Sequence, residues 1–176
     1  MSKCVWIAGA VVLAVLVQAE AQQGKGGPEP AKNALEKLKK LSGTWVATDK
    51  DGKPTSEVVS VFRVTSAGSA VHETIFPGTD HEMVSVYHLD GKDLVMTHYC
   101  ALGNQPRMKL DAKSQPSKLL FQFAGGSNID PAKDMHMHEG SITIVDDDHI
   151  EWTWQGYTNS KVAEGHKVSL KLVRKK

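Results

Sequence analysis

The sequence predicts an all-β protein, a closed antiparallel up-and-down barrel of about ten strands with a short N-terminal helix. Three observations lead there. From Gly43 onward the chain is cut into short, β-branched runs, many of which alternate apolar with polar residues, the period-two signature of half-buried strands. Turn residues punctuate these runs, as at Asp51-Gly52, Ala67-Gly68, Pro77-Gly78, Asp90-Gly91, Gly103-Asn104 and Gln115-Pro116. The connections leave no room for the helical crossovers that parallel strands require, so neighbours pair as an antiparallel meander. Closure then removes the exposed edges and leaves a lumen wide enough for side chains or one small ligand. An open two-sheet sandwich is the alternative.

The elements follow in chain order. Residues 1–21 read as a cleavable signal peptide: Lys3 gives a positive start, Val5 to Val17 is apolar, and Ala19-Glu20-Ala21 offers the small residues that signal peptidase accepts. That apolar run is shorter than the about 20 residues a membrane-spanning helix needs. Cleavage after Ala21 is expected, and with it a secreted or periplasmic location. Residues 22–30 hold glycines and prolines among polar residues and read as a flexible leader. The barrel domain is expected over 31–176. It opens with a short amphipathic helix over Ala31–Leu41, where Ala34, Leu35, Leu38 and Leu41 are spaced three and four apart among lysines and Ser42-Gly43 ends the run.

The strands are expected at Thr44–Asp49, Glu57–Thr65, Ser69–Phe76, Glu82–His88, Leu94–Ala101, Arg107–Asp111, Lys118–Ala124, Met137–Val145, His149–Gly156 and Gly165–Arg174. Alternation puts Trp152 and Trp154 on one face with Ile150, and His166, Val168, Leu170 and Leu172 in one row, with Arg174 in phase. Asp146 to Asp148 form a solvated hairpin turn with no assigned role.

The formal net charge is +1, too small for a basic field that would hold nucleic acid or anionic lipid. No later segment is long and apolar enough for a membrane span. Beyond the signal peptide Cys100 is the only cysteine, so no intramolecular disulfide is possible and the fold rests on its core.

Leu41-Ser-Gly-Thr-Trp45 resembles the Gly-x-Trp that opens the first strand of lipocalins and other calycins after a short helix. By that resemblance Arg174 is the basic residue that packs across Trp45 from the last strand, a structural pair. A closer similarity is to uncharacterised, exported lipocalin-like bacterial proteins. It is carried by Phe76-Pro-Gly-Thr-Asp-His-Glu-Met83, Tyr87-His-Leu-Asp-Gly91 and Thr97-His-Tyr-Cys-Ala-Leu-Gly-Asn-Gln-Pro-Arg107. The resemblance implies the barrel and leaves the function open. Nitrobindin-like haem barrels open with Gly-x-Trp-x-Gly-x-Gly, whereas Val46-Ala47-Thr48 follow Trp45 here, which argues against haem.

Candidate site residues fall into two groups. A small, partly apolar ligand would lie against Trp152 or Trp154, Met83, Met96, Phe121 and Phe123, oriented by Glu73, His98, Asn104 and Arg107. Glu73 shares a face with Val71 and Ile75, which turns it inward, although the opposite phase with Ala70, His72 and Thr74 inward fits nearly as well. Alternatively His98 and Cys100, two apart on one strand, would join His136 and His138 around zinc or copper. A small-substrate enzyme using the same residues is a further alternative. Phosphate loops, nucleophile elbows and helical zinc motifs are absent from the sequence, so an enzyme is the weaker reading. No cofactor is favoured. Non-covalent binding of a small molecule is the expected function, the ligand unknown.

Overall fold

The computed structural model describes residues 29–176, so the expected signal peptide over 1–21 and nearly all of the leader lie outside the described residues. Helix α1 spans Glu29–Lys40 and starts two residues earlier than expected, with Pro30 in the first turn, where its missing N–H interrupts nothing. Its acidic start at Glu29 and basic end at Lys37, Lys39 and Lys40 suit the helix dipole. Ala31, Ala34, Leu35 and Leu38 form the buried stripe.

Ten strands follow: β1 (Gly43–Thr48), β2 (Pro54–Thr65), β3 (Ala70–Ile75), β4 (Met83–Asp90), β5 (Asp93–Tyr99), β6 (Gln105–Leu110), β7 (Lys118–Ser127), β8 (His136–Ile144), β9 (His149–Thr158) and β10 (Lys161–Arg174). Each pairs antiparallel with its neighbours in sequence, and β10 returns to β1 to close the barrel. The closed meander is therefore the observed fold, and the sandwich is excluded. No helix of the described residues is long and apolar enough to cross a membrane.

Helix α1 lies beside the β2–β3, β4–β5 and β6–β7 turns and plugs that end of the barrel. In an up-and-down barrel alternate connections share an end. The β3–β4, β5–β6, β7–β8 and β9–β10 connections thus ring the opposite end, the mouth. Between plug and mouth the core is continuous, from Leu38 and Trp45 through Phe62, Tyr87, Met96, Met108 and Phe121 to Trp152 and Trp154.

The closing seam is short. Only Trp45, Val46 and Ala47 of β1 pair with β10, opposite Arg174, Val173 and Leu172. The earlier half of β10 runs on beyond β1 toward the mouth. In the row His166, Val168, Leu170, Leu172 only Leu172 is fully buried, while Val168 is 42% exposed, because β1 does not pair with that part of β10.

Candidate ligand site in the upper barrel

Register brings a line of polar side chains into the apolar interior. Phe62 of β2 stands opposite Glu73 of β3, Glu73 opposite Ser85 of β4, and Ser85 opposite His98 of β5. Glu73, Ser85 and His98 are all buried, so the inward phase of β3 is the one observed. The Glu73 carboxylate accepts hydrogen bonds from Ser60 Oγ at 2.6 Å and from the Tyr87 hydroxyl at 2.6 Å. Ser85 Oγ lies 3.0 Å from His98 Nδ1. A buried carboxylate without a cation is expensive, and burial pushes Glu73 from the usual 4.5 up to about 7 against the pull of its two hydroxyl donors. Tyr87 is raised as well, by burial and by the neighbouring Glu73 charge, with a hydrogen bond from Ser85 opposing. Burial lowers His98 from 6.5 to about 4, so its imidazole is neutral at physiological pH.

These bonds have a direction. An ionised carboxylate only accepts, so Ser60 and Tyr87 donate to it. With its proton committed to Glu73, the Tyr87 oxygen accepts from Ser85. The Ser85 oxygen in turn accepts from His98 Nδ1–H, which leaves His98 Nε2 as a bare lone pair. No described residue bonds to that nitrogen.

Beside His98 stand the two tryptophans of β9. Trp154 stacks on the imidazole with ring centres 5.9 Å apart, and Trp152 meets Trp154 edge to face at 4.6 Å. Gly140 of β8 makes room for this arrangement: a Cβ there would stand 2.6 Å from Cζ3 of Trp154. The benzo edge of Trp154 therefore rests on Gly140, and its pyrrole edge, which carries Nε1–H, faces away from β8. Both indole N–H groups are buried, and neither has a hydrogen-bond partner among the described residues. Leaving a buried donor unpaired costs about 1–3 kcal/mol, which makes two adjacent ones a notable feature of this interior.

Above Trp154 the mouth carries a cleft of about 220 Å³ lined by Leu102, Met135, His136, Met137, Trp154 and His166, among others. Asn104 ties the β5–β6 turn across to the β7–β8 loop by donating from Nδ2 to the Met135 carbonyl at 2.8 Å, and its buried Oδ1 is unpaired. Next to the cleft His138 is stacked between Tyr157, 4.0 Å between centres, and Phe123, 5.1 Å. His136 Nε2 lies 3.0 Å from His138 Nδ1, and His136 Nδ1 donates to the Asp134 carbonyl at 2.8 Å.

Compared with known proteins, the chain matches no family model and no curated sequence. The site is therefore read from its own geometry.

Of the residues the sequence singled out, Glu73, His98 and Trp154 face the interior together, and Asn104 sits at its rim. Met83, at the mouth end of β4, is half-buried against the core opposite Ile75. Arg107 is not part of this group. It lies on the outer wall, partly exposed, paired with Asp90 of the β4–β5 hairpin, because Met108 and Pro106 take the inward positions of β6. The four-donor set His98, Cys100, His136 and His138 is not assembled either. Among the described residues no group of three or more His, Cys, Asp or Glu side chains could hold one metal ion, and both His136 nitrogens are taken up, one by Asp134 and one by His138 Nδ1. Cys100 is a half-buried free thiol at the start of the β5–β6 turn. Sequence reasoning missed Ser60, Ser85 and Tyr87, which fix Glu73 and His98. Ser60 and Ser85 fall on the inward phase of their strands, a signal that alternation carried.

Proposed function

We propose that this is a lipocalin-like carrier barrel, acting after export, that holds one small, partly apolar molecule in its upper interior beneath the mouth. The observation that carries the reading is the pair of buried, unpartnered indole N–H groups of Trp152 and Trp154. An acceptor atom on a bound molecule would satisfy them, while the aromatic and methionine side chains around them would cover its apolar body. The cleft above Trp154 opens the mouth to solvent next to one of these two indoles. The lipocalin-like kinship is supported by Gly43, Trp45 and Arg174, and the exported location by residues 1–21 of the sequence.

Native mass spectrometry of gently purified, undenatured protein tests the reading. The expected result is a mass above that of the chain from Gln22 to Lys176, lost on denaturation. Bare protein, together with indole N–H resonances that respond to none of a panel of small amphipathic molecules, would overturn it.

A further inference from the structure

We infer that the upper interior selects electrically neutral ligands that carry a carbonyl acceptor beside an N–H or O–H donor, the carboxamide group being the simplest, and that it discriminates against carboxylates and ammonium ions. The inference deepens the binding reading above and rests on it.

The argument is one of complementarity. Among the described residues the unmatched groups are the Trp152 and Trp154 N–H donors, a lone pair at His98 Nε2 and, at the rim, the Asn104 Oδ1 acceptor. Trp154 and His98 lie face to face with ring centres 5.9 Å apart, which sets a donor-bearing ring beside an acceptor-bearing one. A carboxamide offers its oxygen to an indole N–H and its N–H to the imidazole. A carboxylate has no proton for His98, and an ammonium ion has no acceptor for the tryptophans.

Charge points the same way. No lysine or arginine is buried among the described residues, and Arg107 lies on the outer wall, so an anion would enter without a counter-ion. Glu73, the one buried carboxylate among the described residues, would repel it. A cation gains little from Glu73, whose oxygens already accept from Ser60 and Tyr87. Desolvating an unpaired ion is far more expensive than desolvating an amide, so neutral ligands win.

Hexanamide, hexanoate and hexylammonium, matched in chain length, provide the test at about pH 8 with the full barrel. Binding is followed by the indole ¹H–¹⁵N resonances, assigned with Trp152→Phe and Trp154→Phe. Hexanamide should move the Trp154 N–H signal downfield in a saturable manner, and hexanoate and hexylammonium should bind at least tenfold more weakly. Trp154→Phe should weaken hexanamide about tenfold, as expected for one lost hydrogen bond, and bring the three probes closer together. If hexanoate or hexylammonium binds as well as hexanamide, the charge and donor–acceptor selection is wrong while the binding reading stands. If none of the three perturbs either indole, both fail.

Discussion

The Arg174 guanidinium lies over the Trp45 indole, 4.4 Å from the ring centre, and the two residues face each other in register where the last strand meets the first. The same guanidinium donates from Nη1 to the Ser42 carbonyl at 2.6 Å, from Nη2 to Lys40 at 3.0 Å and from Nε to Asp147 at 3.0 Å. It therefore ties the free carbonyls at the end of α1 to the β8–β9 turn, giving that turn a structural role the sequence did not suggest. Trp45 completes the knot by donating Nε1–H to the Leu41 carbonyl at 2.8 Å. Gly43 is needed for it: its φ is +137°, and a Cβ would stand 2.9 Å from Arg174 Nη1.

Trp45→Ala should destabilise the barrel by about 3–5 kcal/mol, the usual range for emptying a buried aromatic site. Arg174→Lys keeps a cation but loses the fork, and should cost about 1–2 kcal/mol. Chemical denaturation of the two single variants and the double variant should give a coupling of about 1 kcal/mol. Strictly additive losses would show that the contact is energetically empty.

Gly140→Ala places a methyl group against the benzo ring of Trp154. Overpacking of this kind costs about 1–3 kcal/mol. Because Trp154 must tilt to relieve it, the near-ultraviolet circular dichroism and the Trp154 indole resonance should change together. A variant with native stability and an unshifted Trp154 signal would refute the seating of the indole on Gly140.

The pH dependence of stability should contain two opposed contributions. Glu73 rises to about 7 in the folded protein from 4.5, so its contribution is full below 4.5 and is lost as pH climbs through about 7. His98 falls to about 4 from 6.5, so its contribution is full above 6.5 and is lost as pH drops through about 4. Each amounts to roughly 3 kcal/mol at full extent. In the native protein they largely cancel between 4.5 and 6.5. Urea midpoints across this range should climb with pH in Glu73→Gln, relative to the native protein, and decline with pH in His98→Gln. Parallel curves for all three proteins would refute both shifts.

The β8 histidine pair has a fixed proton order. His136 Nδ1–H is given to the Asp134 carbonyl, so when both rings are neutral His136 Nε2 accepts from His138 Nδ1–H and the lone pair falls on His138 Nε2. Burial, helped by the neighbouring His136, lowers His138 and so keeps that ring neutral to more acid pH. Long-range ¹H–¹⁵N spectra should show both rings protonated at Nδ1. An Nε2–H tautomer at His138 would contradict the arrangement.

The sequence by itself determined the succession of elements. Every expected strand has an observed counterpart, and the helix differs from the expected Ala31–Leu41 by two residues at its start and one at its end. Alternation, turn residues and a three–four apolar spacing are properties of neighbouring residues, and local sterics act on them directly. The interior positions of Trp152 and Trp154 were legible for the same reason.

Tertiary structure decided what lies beside what. Glu73 had two nearly equal phases in β3, and the inward one comes with Ser60 and Tyr87, thirteen and fourteen residues away, placed to donate to it. Arg107 belonged to a conspicuous sequence string yet faces outward, because β6 register gives the interior to Met108. Val168 shares a row with the buried Leu172 and is exposed, because the β1 pairing with β10 reaches no further than Leu172. His98 and Trp154 come from strands 56 residues apart in sequence and meet only across the closed barrel. Period two tells which side of a strand a residue takes, whereas register, strand length and closure, set by the summed packing of the whole barrel, choose its neighbours.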